Sequence, residues 1–189
     1  MRAKINKIIN ILKKGGVVIC PTDTVYGLIA DATDEEVVKK IFKIKKRHKK
    51  KAIPIFVKDI TTAKKLAFIN KEQESFLKKI WPGKFTLVLK RKSNCGLPEI
   101  LFGNRKTIAL RIPDYKLVND LLKKINRPLT GTSANISGKP ASTKIEEILK
   151  QFKNQKIQPD LVINAGNLKK SKPSKIIDLT KNKPKILRK

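Results

Sequence analysis

Apolar residues recur along this chain in two rhythms, and the switching between them lays out alternating helices and strands. Ile5, Ile8, Ile9 and Leu12 share one helical face and stop at Gly15-Gly16, so a helix ends there and a buried strand follows over 17–20. Thr33 with Glu36 three residues on has the form of a capping box. It opens a helix whose stripe is Val37, Val38, Ile41, Phe42 and Ile44, and which ends in Lys45-Lys46-Arg47-His48. A short strand over 53–57 comes next. Two helical patterns follow, one over 63–68 and one capped by Asn70 with Phe76, Leu77 and Ile80, the latter broken by Trp81-Pro82-Gly83. Alternation returns over 85–89 and 107–112, separated by a Gly-, Pro- and Asn-bearing loop over 93–104. A helix over 117–125, a strand over 128–130, a helix capped by Thr143 with Glu146, strands at Leu161-Val162-Ile163 and Ile176-Ile177, and an edge strand in the tail 184–189 complete the pattern. No repeat or linker divides the chain. It reads as one α/β domain over 1–189, with strand order left open.

Two stretches stand apart because they build little core. Pro21-Thr22-Asp23-Thr24-Val25-Tyr26-Gly27 and Gly131-Thr132-Ser133-Ala134-Asn135-Ile136-Ser137-Gly138 are rich in hydroxyls and end on glycine, each directly after an apolar run. Such side chains compete with the backbone for hydrogen bonds and favour loops. A loop of this kind offers hydroxyls, a carboxamide and free N–H groups to an anion. Arg111 is the one charge inside an otherwise apolar strand, so it faces either solvent or an anion. Lys45 and Arg47, at a helix end, either complement the helix dipole or clamp phosphate.

Composition narrows the classes. With 189 residues and 40% of them hydrophobic, the chain can bury a core despite 32% charged residues. No apolar run is long enough to span a membrane and the start lacks a signal-peptide pattern, so a cytoplasmic protein with no membrane partner is expected. Cys20 and Cys95 have no neighbouring Cys or His and read as buried or inert thiols. The net charge of +30 points toward polyanions, but lysine is abundant throughout and charge alone does not select a partner. No acid pair, Ser/His/Asp set, metal cluster or P-loop is present. Phosphate chemistry here would rest on positioning and charge stabilisation.

Five motifs in order, Pro21-Thr22-Asp23-Thr24-Val25-Tyr26-Gly27-Leu28, Lys45-x-Arg47, Trp81-Pro82-Gly83 before Phe85-Thr86, Ala109-Leu110-Arg111-Ile112-Pro113 and Thr132-Ser133-Ala134-Asn135-Ile136-Ser137-Gly138, resemble the signature of the YrdC family across nearly the whole chain. The resemblance implies a twisted mixed α/β sheet with flanking helices around a basic concave cavity. It also implies threonylcarbamoyl-AMP synthase activity, in which L-threonine, bicarbonate and ATP yield threonylcarbamoyl-adenylate and pyrophosphate for tRNA modification. By that resemblance Lys45, Arg47, Ser133 and Asn135 form the catalytic set, Thr24, Arg111 and Ser133 hold threonine, and Arg47, Lys51, Thr107, Asn135, Thr143, Ser174 and Arg188 contact the nucleotide. Magnesium would travel on ATP without a protein cage. The adduct would reach tRNA directly or through transfer-partner proteins. Phe56 departs from the pattern, standing where long-form members place a threonine-contacting histidine, and His48 stands where proline is usual. An RNA-binding module is disfavoured by only 5% aromatic residues. A carbamoyl-transfer domain would call for fused domains and zinc-binding cysteine pairs.

Overall fold

The computed structural model describes residues 2–181 and 183–189. Helix α1 (Arg2–Lys13) buries Ile5, Ile8 and Leu12, as their spacing predicts. Strand β1 (Val18–Cys20) explains its unbroken apolar run by being covered on both faces. Ile19 joins the larger core, while Val18 and Cys20 join a smaller one beneath α1 and α5 (Lys116–Ile125). Burial pushes the Cys20 thiol up to about 12, leaving it protonated and inert.

Strand β1 pairs antiparallel with β2 (Gly27–Ile29) and parallel with β8 (Leu161–Val162), and β7 (Thr132–Ser133) adds to the far edge of β2. The second sheet has the order β10 (Lys185–Arg188), β9 (Lys175–Asp178), β4 (Phe85–Lys90), β5 (Thr107–Arg111), β3 (Ile55–Phe56), β6 (Leu129–Thr130). Both sheets mix parallel and antiparallel pairs, so the expected mixed α/β domain is present with its strands divided between two sheets. The tail strand lies at an edge, as expected.

The sheets are joined where β6 runs into β7 with Gly131 alone between them. Thr130 secures the seam: its N–H donates to the Ala30 carbonyl, and its hydroxyl accepts from the Ala30 N–H and donates to the Leu28 carbonyl. Gly131 crosses directly over the Phe56 ring, where an added Cβ would lie 2.5 Å from a ring carbon. Gly131→Ala is therefore expected to cost about 1–3 kcal/mol in urea unfolding. Adding Phe56→Leu should recover part of that loss, and a Gly131→Ala protein as stable as wild type would show that the ring gives way freely.

Several local expectations change. Helix α2 (Glu35–Lys45) is capped by Asp34, whose carboxylate accepts from the Glu36 and Val37 N–H groups, whereas Thr33 donates to Asp31. The capping-box pattern ran one residue early because aspartate is itself a strong cap. Thr143 likewise does not cap α6 (Ile145–Phe152); the Ser142 hydroxyl accepts the Lys144 N–H and bonds the Glu147 carboxylate. The strand over 53–57 contracts to β3, and the loop over 93–104 contains a 3₁₀ turn, Glu99–Phe102, that buries Leu101 and Phe102. The helical pattern over 63–68 is realised earlier, as α3 (Ile60–Leu66); Asn70 caps α4 (Lys71–Ile80), as read, and Gln73 reciprocates.

Candidate active site

A cavity of about 310 Å3 lies between the sheets, walled by the 22–27 loop, the 47–54 loop, β5 and the 131–133 segment. That volume suits a small-molecule site. Its lining contains Arg47, Lys51, Arg105, Arg111 and Arg188 and, among the described residues, no carboxylate.

Arg111 meets an anion supplied by the protein itself. Its Nη2 pairs with Asp23 Oδ1 at 2.6 Å, its Nη1 donates to Thr24 Oγ1 at 3.2 Å, and its Nε donates to the Gly83 carbonyl at 2.9 Å. The residue is 3% exposed. Burial pushes the guanidinium below its usual range, opposed by the Asp23 charge. A guanidinium has five N–H groups, so one on each terminal nitrogen stays uncommitted. Thr24 is fixed in turn, its N–H donating to Thr22 Oγ1, which itself donates to the Val25 carbonyl at 2.6 Å. Phe56 packs beside this pair, its ring centre 5.7 Å from the Arg111 guanidinium.

Arg47 reaches the cavity because α2 ends in a left-handed Lys46, closed by Arg47 N–H to the Phe42 carbonyl and Lys46 N–H to the Lys43 carbonyl. Its Nε and Nη2 donate to the carbonyls of Lys51 and Ala52, which orients the guanidinium and pins the loop carrying Lys51. Arg188 is held by the Ser174 carbonyl at 3.0 and 2.7 Å, and the Ser174 hydroxyl shares a 2.7 Å bond with Thr86. His48 is exposed, as expected of a solvated side chain.

Lys45 stands behind the cavity wall, not on its lining. It lies on the buried stripe of α2 with Val38, Ile41 and Phe42 and is 1% exposed. Its three ammonium donors go to the Ser133 carbonyl, the Asn135 carbonyl at 2.8 Å and Asn135 Oδ1 at 2.9 Å. Asn135 Oδ1 also accepts from the Ser133 hydroxyl, and its Nδ2 donates to the Lys139 carbonyl. Burial, reinforced by Arg47, pushes the Lys45 ammonium down to about 7. Lys45 is thus a clamp on the 133–139 loop and Asn135 its anchor; of the catalytic set, only Arg47 and Ser133 line the cavity.

Five amides of the 131–138 stretch are already committed. The N–H groups of Gly131, Ala134, Asn135, Ile136 and Ser137 are given to Pro54, Tyr26, Ser133, Gln151 and Lys45. The full positive charges at the cavity are those of side chains. Thr24, Arg47, Lys51, Arg111, Ser133, Ser174 and Arg188 converge on the cavity. Thr107 shares the face of β5 that carries Ala109 and Arg111 without forming the wall, and Thr143 stands outside it, its carbonyl taken by the Leu168 N–H. Residues not anticipated are Asp23, Thr22, Thr86 and Arg105. Asp23 was open to discovery, since a buried arginine requires an anion and Asp23 is the acid in the hydroxyl-rich loop.

The Sua5/YciO/YrdC family model, described as "Telomere recombination", matches residues 10–189. A Methanocaldococcus jannaschii protein provisionally named a threonylcarbamoyl-AMP synthase is 39% identical over 181 residues, covering 94% of this chain and 83% of that protein. The Pyrococcus abyssi threonylcarbamoyl-AMP synthase is 36% identical over 186 residues, covering 98% of this chain and 53% of that protein. The structure of P. abyssi Sua5 complexed with L-threonine matches with a TM-score of 0.91 at 34% identity, and this chain, covered in full, spans 54% of that one.

Proposed function

The chain belongs to the Sua5/YciO/YrdC family, and from that membership we propose that it is a threonylcarbamoyl-AMP synthase. The observation that carries the reading is a single acid-free cavity holding a buried, oriented guanidinium together with further cations. A substrate set of an amino acid and a nucleoside triphosphate needs both. The threonine carboxylate takes the uncommitted N–H groups of Arg111 beside Thr24. Arg47 and Lys51 attract the phosphates, and Ser133, held by the Lys45–Asn135 clamp, orients the adduct. Threonine's amine adds to bicarbonate with loss of water to give a carbamate. A carbamate oxygen then attacks the α-phosphate, forming the adenylate as the bond to pyrophosphate breaks. Catalysis is by charge neutralisation and alignment.

Among the described residues no three His, Cys, Asp or Glu side chains cluster to hold a metal. In the proposed reaction magnesium would enter on ATP. No helix among them is long and apolar enough to cross a membrane. The proposed setting is the cytoplasm, with the adenylate passed to tRNA directly or through transfer-partner proteins.

The test is pyrophosphate release with threonine, bicarbonate and ATP omitted in turn. Loss of signal on each omission is expected, and release indifferent to threonine would overturn the reading. Serine should replace threonine at about 10- to 200-fold lower efficiency, because one methyl group discriminates only that much. A serine rate equal to that with threonine would show that the cavity does not sense the methyl group.

A further inference from the structure

Side chains alternate along a strand, so Arg105, Thr107, Ala109 and Arg111 fall on one face of β5 and its lead-in. Thr107 and Ala109 are half-buried between the buried Ile108 and Leu110, and Ala109, Arg105 and Arg111 all line the cavity. The arginines at the two ends contrast. Arg111 is buried and paired with Asp23, whereas Arg105 is exposed and makes no side-chain hydrogen bond or ion pair among the described residues. Six residue steps separate them, at most about 20 Å at ~3.3 Å per residue of extended chain.

The backbone fixes where Arg105 stands. Gly103 and Asn104 are both left-handed, at φ 59° and 63°, and the Arg105 N–H closes on the Phe102 carbonyl at 3.3 Å. A Cβ on Gly103 would lie 2.5 Å from the Lys50 carbonyl oxygen, so this turn packs directly on the loop that carries Lys51. The Ile53 N–H joins the two loops through the Leu101 carbonyl. Strand β3 runs parallel to β5 with Phe56 opposite Arg111. The same register carries Lys51 toward the Arg105 end and leaves Phe56 at the Arg111 end.

We propose that Arg105 is a phosphate-binding residue that, with Arg47 and Lys51, seats the β- and γ-phosphates of ATP, the part that leaves as pyrophosphate. The cavity is then bipolar, with the amino-acid carboxylate at Arg111 and the leaving group at the opposite end of β5. The assignment of these phosphates rests on the synthase reading, while the phosphate seat itself can be tested without turnover.

Tripolyphosphate and threonine are titrated calorimetrically, in separate experiments, into wild type, Arg105→Ala, Arg105→Lys and Lys106→Ala, with melting curves as a check on folding. Arg105→Ala should weaken tripolyphosphate binding about tenfold, the loss of one charge-assisted contact. Arg105→Lys should retain part of the affinity, and threonine binding should not change. Lys106→Ala, on the other face of the strand, should match wild type. The proposal is overturned by unchanged tripolyphosphate binding in Arg105→Ala, by equal losses in Arg105→Ala and Lys106→Ala, by a parallel loss of threonine binding, or by a wild type that binds no tripolyphosphate. If Arg105→Ala loses tripolyphosphate but wild type releases no pyrophosphate from its three substrates, the synthase reading falls and the phosphate seat stands.

Discussion

Arg111→Met is expected to lower the kcat/KM for threonine by about a hundredfold or more, and also to destabilise the fold by about 3–5 kcal/mol. The two losses have separate causes. The guanidinium supplies the charge-assisted contacts for a carboxylate, and its removal takes them away from every amino-acid substrate alike. It also neutralises Asp23, whose side chain is 8% exposed and 2.6 Å away. Truncating one member of a buried pair strands the other, and that accounts for the loss of stability. Asp23→Asn added to Arg111→Met should therefore restore much of the melting temperature and none of the threonine dependence. A double variant that regains threonine affinity would show that Arg111 only supports the fold, and that the carboxylate sits elsewhere.

Lys45→Met should also be damaging, although its side chain does not line the cavity. Three oxygens lose a donor in a buried position; the Ser133 carbonyl keeps the Asn135 N–H and Asn135 Oδ1 keeps the Ser133 hydroxyl, so the Asn135 carbonyl is the group left without its partner, at about 1–3 kcal/mol. The 133–139 loop should loosen, lowering turnover through Ser133. A pH readout separates this clamp from simple packing. In the unfolded chain a lysine titrates near 10.4, whereas burial holds Lys45 at about 7 in the folded protein. Between those values the unfolded state binds the extra proton, so the contribution of Lys45 to stability grows as pH rises from about 7 toward 10 and shrinks as pH falls. Wild type should show that slope in urea midpoints and Lys45→Met should lack it. Identical slopes in the two proteins would remove Lys45 from the explanation.

Hydrophobic rhythm located most helices and strands, because long periodic segments report directly on the face they bury. It failed for β2 and β7, which are too short to show a period and exist because Gly27 and Leu28 find Ser133 and Thr132 across the sheet. Side-chain roles followed the same divide. Motif order placed Arg47, Arg111 and Ser133 at the cavity. Lys45 lies behind the wall: Val38, Ile41, Phe42 and Lys45 share one helical face, and that spacing already puts the ammonium inside. Arg105 was hidden: in a strongly basic chain an arginine after a loop looks like any solvated charge, and only the strand alternation and the Gly103–Asn104 turn single it out.

The passage of the chain from the second sheet into the first at Gly131 bears on how the cavity can move. A jaw that opens needs a pivot free to rotate. Here the pivot residue rests on the Phe56 ring, its N–H is held by the Pro54 carbonyl at 2.7 Å, and its neighbour Thr130 is bonded across the seam. The two walls are in effect one piece of cloth folded once and stitched along the crease. Passage of ligands is then expected at the rim, where Lys51 and Leu187 line the cavity, and not through a parting of the two walls.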